Sequence, residues 1–261
     1  MNAGGVRKTD VAHWDRAWAE RPRTRLPKSC LAVTKNVQDL LRRYVQPGQT
    51  AIEIGCAPGK HLAWCAGVLG AKVSGLDYSP VGFHTTQNLF ADLGIAADIR
   101  MEDVFKTTFP DGIFDVVYSF GVIEHFDDPA HIVRKHLEMT RPGGWAVIAV
   151  PNYGGFYGRI QRRIDPENLG IHNLNIMNAD ALRRLTPSDL AEGSEVFASG
   201  RPSPSILSLH KIFGQRAGKL LTITGELLCR FSPVSPTPLR PMLVLTIQRR
   251  KTLAPNHSKT G

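Results

Sequence analysis

Residues 51–59 have the sequence AIEIGCAPG, in which a short apolar run leads into a turn that carries two glycines. The run over residues 50–54 predicts a buried strand of a parallel sheet. Gly55 and Gly59 allow the backbone to turn sharply and to approach a ligand before a helix that begins near Lys60. The pattern therefore predicts a ligand at the N-terminus of that helix.

A second apolar run, residues 72–76, ends in Asp77, which follows Glu53 by 24 residues. A β-α-β unit with this spacing presents a carboxylate to the diol of a ribose. The turn after the first strand matches neither the Gly-x-Gly-x-x-Gly pattern of dinucleotide-binding folds nor a Walker loop, because it has Glu-x-Gly-x-x-x-Gly instead. The unit is therefore predicted to bind a nucleoside.

Five segments extend the pattern along the chain: EIGCAPG, GLDYS, MEDVF, FDVVYSFGVIEHF and RPGGWAVIAVPN. Together they resemble the class I S-adenosylmethionine-dependent methyltransferases, in their ubiquinone-biosynthesis-like branch. The resemblance is strong over residues 35–152 and looser elsewhere. It implies S-adenosyl-L-methionine as the methyl donor and S-adenosyl-L-homocysteine as the product. A doubly wound fold that binds another nucleotide is the alternative.

The resemblance implies an α/β fold, doubly wound around a mostly parallel, seven-stranded Rossmann-like sheet with an antiparallel last strand and helices on both faces. Helix starts are predicted at Thr34, as an N-cap, and at Ser79, whose cap is followed by Pro80. Further helices are predicted over residues 129–140 and 178–185, with a tight turn at 141–144. The later strands are predicted at residues 99–101, 113–120, 145–150, 194–198 and 241–247, the last lying between the two before it.

The chain is expected to contain one domain with additions at its ends. Residues 1–33 are predicted to form an N-terminal cap or lid, because Trp14 and Trp18 share one face of a short helix; simple packing onto the domain is the alternative. Residues 34–250 are the methyltransferase-like domain, with a helical, basic insertion at about 203–231. Residues 251–261 are expected to be a disordered tail.

Cofactor-binding residues follow from the motifs at the carboxyl ends of the strands, where ligands bind in open parallel sheets. The resemblance assigns the adenine amino group to the acid after the third strand, Asp103, with Glu102 as the second choice. The predicted cofactor-binding residues are Glu53, Gly55, Cys56, Ala57, Gly59, Asp77, Tyr78, Asp103, Val104, Ser119, Phe120 and Gly121.

The segment after the fourth strand supplies the candidates for catalysis. Relatives with Glu-x-x-Glu-His at this place bind a divalent metal, but Gly121 replaces the first glutamate here, so no metal is expected. Glu124 and His125 remain as a general base or as substrate contacts, and His125 is preferred because an imidazole titrates near neutral pH. The alternative is that both residues only cap and pack this segment.

Specificity for the acceptor is predicted to lie in the loop after the fifth strand and in the insertion. The candidate substrate-binding residues are Tyr153, Tyr157, His172, Asn173 and Phe213. The favoured function is O- or N-methylation of a small molecule, apolar or anionic, in secondary-metabolite, glycan or quinone-type biosynthesis, by direct in-line displacement. RNA methylation is the alternative, and a non-enzymatic cofactor-binding scaffold is the third hypothesis.

Charge is distributed unevenly along the chain. Residues 1–150 carry 17 Lys and Arg against 16 Asp and Glu, whereas residues 151–261 carry 15 against 7. The basic C-terminal part indicates an anionic substrate, a nucleic acid or an acidic membrane surface, unless its charges only solvate helix faces. There is no apolar run near 18 residues and no signal peptide, so a cytoplasmic protein is expected. The four cysteines lack metal-ligand spacing and are expected to be reduced. The oligomeric state stays open.

Overall fold

The computed structural model describes residues 6–20, 30–232 and 236–251. Parts of the predicted N-terminal cap and nearly all of the predicted disordered tail lie outside these residues. Within them, the strands are β1 (Thr50–Ile54), β2 (Lys72–Asp77), β3 (Asp98–Met101), β4 (Phe114–Phe120), β5 (Thr140–Pro151), β6 (Ala191–Ser199) and β7 (Met242–Arg249). The helices are α1 (Val11–Ala19), α2 (Ala32–Tyr44), α3 (Lys60–Leu69), α4 (Pro80–Leu93), α5 (Ala130–Met139), α6 (Phe156–Ile164), α7 (Pro166–Gly170), α8 (Ala179–Arg183) and α9 (His210–Cys229).

The seven strands form one sheet in the order β3-β2-β1-β4-β5-β7-β6. Strands β1 to β5 are parallel, and β7 runs antiparallel to both of its neighbours, β5 and β6. The predicted doubly wound sheet with an antiparallel strand between the fifth and sixth is therefore confirmed. The strand order reverses between β1 and β4, which is the point where open α/β sheets bind ligands.

Alternating side chains of the central strands supply two separate cores, one on each face of the sheet. In β4, Val117 packs into one core and Val116 and Tyr118 into the other. Helices α2, α3 and α4 cover the second core, whereas α5 and α8 cover the first. Because the central strands are buried on both faces, they are apolar without a polar side.

Local signals set several element boundaries. The Ser79 side chain accepts a hydrogen bond from the Gly82 N–H and caps α4, with Pro80 at its first position, as predicted. The Thr34 prediction is wrong, since α2 begins at Ala32 with Leu31 at its N-cap and the Thr34 side chain lies inside the helix. Leu31 has extended backbone angles but no capping side chain. The start of α2 therefore has no polar N-cap residue that could have been recognised in the sequence.

The turn predicted over residues 141–144 is also corrected. Strand β5 already begins at Thr140, and the pairing with β4 shifts between Phe114 and Val116. The residues with turn propensity are absorbed as an irregularity at the start of the strand, where Gly143 has a positive φ of 77°. Residues 141–144 were predicted to reverse the chain direction, but they form an irregular, bulge-like start of β5.

The insertion forms α9, which consists of two helical segments joined by a kink at Gly214, where φ is 73° and ψ is 167°. Its apolar periodicity predicts a helix pair that covers a sheet edge, with a basic amphipathic surface as the alternative. Many of its large apolar side chains are instead exposed, Leu220 by 65% and Leu228 by 70%. No helix formed by the described residues combines the length and the apolar content needed to cross a membrane.

The loop after β5 is packed through a close backbone approach that tolerates no side chain. A Cβ at Gly158, in α6, would lie 1.8 Å from the Tyr153 carbonyl oxygen. We expect Gly158→Ala to lower the free energy of unfolding by about 1–3 kcal/mol, because backbone must move to admit the methyl group. Urea denaturation measures this, with Gly170→Ala as the matched control, since a Cβ there meets nothing within 4 Å. Equal losses in the two variants would contradict the assignment.

Candidate functional site

The turn after β1 is tied to the end of β2 by hydrogen bonds. The N–H groups of Gly55 and Cys56 both donate to the Leu76 carbonyl oxygen, at 2.9 and 3.1 Å. The Asp77 carboxylate accepts from the Ala57 N–H at 3.1 Å and from the Ser79 N–H at 2.9 Å. One carboxylate thus joins the turn after β1 to the start of α4.

A cavity of about 310 Å³ lies over this turn. Its lining includes nine of the predicted cofactor-binding residues: Glu53, Gly55, Cys56, Ala57, Asp77, Tyr78, Val104, Phe120 and Gly121. It also includes residues that the sequence analysis did not assign to a site: Arg7, Thr9, Pro58, Lys60, His61, Val122, Phe126 and Ile132. The predicted nucleoside site and the cavity therefore coincide at the carboxyl edge of β1, β2 and β4.

Three predicted cofactor residues do not line the cavity. Gly59 is the N-cap of α3, with φ 83°. The Ser119 hydroxyl lies 2.8 Å from His136 Nε2 in the core. The Asp103 carboxylate accepts from Arg7 Nη2 at 2.8 Å and from the Phe105 N–H at 3.0 Å. Glu102, the second choice for the adenine, does line the cavity.

Burial sets the protonation of the acids in the cavity floor. Burial raises the pKa of Glu53 to about 8, and the nearby Lys60 offsets part of that increase. Burial also raises the pKa of Asp77 to about 6, although its two backbone hydrogen bonds act in the opposite direction. Both groups would gain from a positive charge placed in the cavity, because a cation stabilises their ionised forms.

Helix α1 lies against one side of the cavity, which Trp14 and Trp18 line. The two indole rings stack with their centroids 5.8 Å apart. Asp15 Oδ1 accepts from the Ser79 hydroxyl at 2.5 Å, which ties α1 to the start of α4. The spacing of the two tryptophans in the sequence predicted that they share one helix face. Their position over the cavity depends on contacts between distant segments, which the spacing does not show.

The residues before α1 pair with the segment that follows β4. The Lys8 N–H donates to the His125 carbonyl oxygen at 2.8 Å, and the Asp127 N–H donates to the Val6 carbonyl oxygen at 3.0 Å. The Arg7 guanidinium lies 4.7 Å from the centroid of the Tyr78 ring. Arg7 therefore belongs to the cavity wall, and no local motif marked it.

His125 lines the cavity and is held on two sides. Its Nδ1 lies 3.0 Å from the Ile171 carbonyl oxygen, and its ring meets the Trp14 ring edge-on at 5.0 Å between centroids. Burial, with His172 nearby, lowers the pKa of His125 to about 3. The imidazole is neutral near pH 7 and is a weaker base than the sequence analysis assumed.

Glu124 is fully buried, and neither of its carboxylate oxygens has a hydrogen-bond partner among the described residues. Burial raises the pKa of Glu124 to about 8, with only its own backbone N–H acting against the increase. An unpartnered acid in this position is costly, since buried polar groups are normally hydrogen-bonded. The packing role that was the alternative for Glu124 leaves its carboxylate unexplained.

The loop after β5 brings His172 and Tyr153 to the same place. The His172 ring lies 4.8 Å from the His125 ring and 5.4 Å from the Tyr153 ring. Asn173 is buried and fastens the loop, since its side-chain amide donates to the Phe126 and Asp127 carbonyl oxygens at 3.1 and 3.0 Å. These residues do not line the cavity over the turn after β1 but pack directly behind its His125 wall.

Two predicted substrate-binding residues lie elsewhere. The Tyr157 hydroxyl donates to the Leu239 carbonyl oxygen at 2.9 Å and accepts from the Ser203 N–H at 3.1 Å, so this buried tyrosine supports the fold. Phe213 is 51% exposed on α9 and does not line the main cavity. Both residues follow strands that end at the carboxyl edge of the sheet, but this does not fix the direction in which a long loop or insertion runs.

The expectation of no metal site depended on the missing first glutamate. The structure places one ligand atom each from Glu124, His125 and His172 within 4.8 Å of one another. His172 was predicted only as a substrate contact, and its distance of 47 residues from His125 gave no spacing signal.

Comparison with known proteins identifies the central region. Residues 52–148 match a family model described as "Methyltransferase domain". Over these residues the chain is similar to methyltransferase domains. The chain is 32% identical over 103 residues to 2-methyl-6-phytyl-1,4-hydroquinone methyltransferase of Synechocystis sp., covering 40% of this chain and 32% of the relative. It is 30% identical over 106 residues to the ubiquinone biosynthesis O-methyltransferase of Bordetella bronchiseptica, covering 40% and 44%. The matches thus span less than half of these relatives.

Solved structures extend the likeness beyond the methyltransferase domain. Phosphoethanolamine N-methyltransferase 2 of Haemonchus contortus has a TM-score of 0.58 at 17% identity, over 84% of this chain and 53% of that one. Geranyl diphosphate C-methyltransferase of Streptomyces coelicolor has a TM-score of 0.59 at 13% identity, over 95% and 100%. The [4+2]-cyclase SpnF has a TM-score of 0.61 at 13% identity, over 95% and 98%. At these identities the likeness establishes the fold alone.

The buried Glu124 predicts how stability depends on pH. Its pKa is about 8 in the folded chain and near 4.5 when unperturbed, so between these values the folded chain retains a proton that the unfolded chain releases. The free energy of unfolding should therefore fall as the pH rises through this window, and less steeply in Glu124→Gln.

Urea denaturation between about pH 5 and pH 8, with a chelator present, measures the slope. Glu192→Gln is the matched control, because Glu192 is exposed in β6 and its substitution should leave the slope unchanged. Identical slopes for wild type and Glu124→Gln would show that this acid is ionised in the fold.

Proposed function

We propose that the chain transfers a methyl group from S-adenosylmethionine to a small-molecule acceptor by direct in-line displacement. The observation that carries the proposal is the cavity at the strand-order reversal, with the Glu-x-Gly-x-x-x-Gly turn and the buried Asp77 in its lining. The matched methyltransferase domain over residues 52–148 contains both features. Small-molecule methylation, RNA methylation and a cofactor-binding scaffold all require a cofactor in this cavity, but only the RNA hypothesis requires a nucleic acid on the basic region.

The lining fits the proposed cofactor in size and chemistry. A Cβ at Gly55 would lie 2.8 Å from Val122 Cγ2, so the absence of a side chain keeps this part of the lining open. Asp77 offers carboxylate oxygens for ribose hydroxyls, and Tyr78 and Phe120 offer aromatic surface. Glu53 and Asp77 also suit the positive charge of a sulfonium group, by the pKa argument given above.

When bound, S-adenosylmethionine supplies an electrophilic methyl group, so the protein must mainly align the acceptor and exclude water. Trp14 and Trp18 on α1 would serve the second task as a lid at the cavity. His125 would border the acceptor, and it remains the proposed base together with Glu124. With its lowered pKa, His125 suits an acceptor that needs little help in losing a proton.

The acceptor is proposed to be a small molecule with an apolar part. The cavity wall near His125 is formed by Trp14, Phe126 and Ile132, which suits a ring or chain more than a polyanion. Relatives are named for quinone-type and phosphoethanolamine acceptors, which are small molecules of different charge. Methyl transfer from labelled cofactor to candidate phenols and amines is the direct assay.

The cofactor assignment predicts the effect of removing one carboxylate. Asp77→Ala should weaken S-adenosylhomocysteine binding by about one to two decades, roughly 1.5–3 kcal/mol, through loss of charge-assisted hydrogen bonds. Isothermal titration measures the affinity, and thermal unfolding checks that the turn held by Asp77 remains folded. Asp180→Ala, at a side chain that is 80% exposed, is the matched control. Unchanged affinity in folded Asp77→Ala would rule out the ribose assignment.

We also propose that the protein is cytoplasmic and contacts a membrane surface through α9. This helix exposes Phe213, Leu220 and Leu228 together with the basic residues Lys211, Arg216 and Lys219. Exposed apolar patches flanked by basic side chains bind interfaces that contain anionic lipid. The apolar character of this surface favours lipid over RNA, because nucleic acid is bound mainly through its phosphates.

The membrane proposal predicts selective binding to anionic vesicles. Vesicles with phosphatidylserine should retain the protein, and replacing Lys211, Arg216 and Lys219 by Gln should release it, at about 1 kcal/mol for each charge. The matched control replaces three exposed arginines of α6, Arg159, Arg162 and Arg163, and should retain binding. Cosedimentation measures both. Equal release in the two triple variants would indicate general charge attraction in place of docking through α9.

A further inference from the structure

We propose that Glu124, His125 and His172 form a binding site for a divalent transition metal ion, with Zn²⁺ chemistry. Each residue offers one ligand atom, and the three atoms lie within 4.8 Å of one another. Two imidazole nitrogens and one carboxylate oxygen are a ligand set that Zn²⁺ binds in proteins, with a fourth position left open. The inference does not depend on the identity of the acceptor.

The hydrogen bonds of the two histidines leave Nε2 as the ring nitrogen that each could offer to a metal ion. His125 Nδ1 lies 3.0 Å from the Ile171 carbonyl oxygen, and His172 Nδ1 lies 2.6 Å from the Asn168 carbonyl oxygen. A carbonyl oxygen can only accept, so each Nδ1 must carry the proton when the ring is neutral. Each Nε2 is then left with a lone pair, and a backbone carbonyl behind a histidine is a common support for a metal ligand.

Glu124 provides a second and independent observation. Its side chain is fully buried, and neither carboxylate oxygen has a hydrogen-bond partner among the described residues. An ionised carboxylate in such a place needs an opposite charge or hydrogen bonds. A divalent ion between Glu124 and the two imidazoles would supply that charge.

The ligand-bearing segments are fixed to each other by hydrogen bonds that leave the ligand atoms free. The Asn173 N–H donates to the Glu124 carbonyl oxygen at 2.6 Å, and the Asn173 side-chain amide binds the Phe126 and Asp127 carbonyl oxygens. His125 Nδ1 binds the residue that precedes His172. The segment after β4 and the loop after β5 are therefore preorganised to present Glu124, His125 and His172 together.

The separation of the ligand atoms requires a small closure. With bonds of about 2.1 Å, tetrahedral ligand atoms are about 3.4 Å apart, so the widest pair must approach by roughly 1.4 Å. His172 is only partly buried and can make that movement. The fully buried Glu124 and the largely buried His125 form the stationary part of the site.

Gly121 offers no ligand atom, so the third ligand of the set is a second histidine, His172. The φ of Gly121 is 68°, and a Cβ there would lie 3.5 Å from Glu124 Oε1. A side chain at this position would be strained, so a carboxylate is not available from residue 121. With one carboxylate and two imidazoles, the site should prefer Zn²⁺ or Co²⁺ to Mg²⁺, which favours oxygen ligands.

A ligating His125 cannot act as a general base, because its Nε2 lone pair cannot serve both roles, so the base role proposed above applies to the metal-free chain only. Chelator-treated full-length protein is titrated with Co²⁺, a visible-absorbing substitute for Zn²⁺. We expect one Co²⁺ per chain with visible d–d bands, displacement by Zn²⁺, and no displacement by millimolar Mg²⁺. His172→Ala and Glu124→Gln should each weaken Co²⁺ affinity by at least about tenfold.

His131→Ala is the control variant, because His131 and Asp128 form an exposed pair, 3.3 Å apart, that could bind Co²⁺ weakly at the surface. It should retain the d–d bands and the affinity. Substoichiometric Co²⁺, equal affinity in wild type, His172→Ala and Glu124→Gln, or loss of binding only in His131→Ala would each overturn the proposal.

S-adenosylhomocysteine binding is measured on the same samples. Metal-free protein and both ligand variants should retain it within a few-fold, which shows that they are folded and separates failure of the metal proposal from failure of the proposed function. Zn²⁺ should also raise the thermal midpoint of wild type more than that of His172→Ala, since a bound ion stabilises only the folded chain that holds it. An equal shift in the two proteins would overturn the site.

Discussion

The hydrogen bonds of the Asp77 carboxylate are the constraint on which the site depends. They join the turn after β1, through Ala57, to the start of α4, through Ser79. Ser79 in turn caps α4 and binds Asp15 on α1. The same carboxylate lies in the cavity lining, so the group that aligns three segments is also the one offered to a ligand.

Much of this arrangement could be predicted because its signals are local. The glycines of the first turn, the acid at the end of β2 and the Ser79-Pro80 start of α4 each act within a few residues. The position of β7 was implied by resemblance. Contacts between distant segments left no such signal: Arg7 binds Asp103 across 96 residues, and His125 binds Ile171 across 46. Asp103, which does not line the cavity, is a residue whose environment is set by such a contact.

The acids of the site show a consistent electrostatic pattern. Glu53, Asp77 and Glu124 all have raised pKa values, and burial is the largest cause in each case. Burial destabilises the ionised form of each acid. This lowers the free energy of unfolding and raises the affinity of the site for a positively charged ligand. A sulfonium near the first two and a divalent ion beside the third would relieve that cost at two separate places.

Helix α1 differs from the rest of the cavity wall in how it is held. None of its nine residues is buried, whereas the strands beneath it form the centre of both cores. It is held through the hydrogen bond of Asp15 to Ser79 and through Trp14 and Trp18, which line the cavity. If α1 serves as the proposed lid, the cavity would exchange its contents through a subglobal opening of α1 while the sheet remains folded, and the rate of that opening would set an upper limit on turnover.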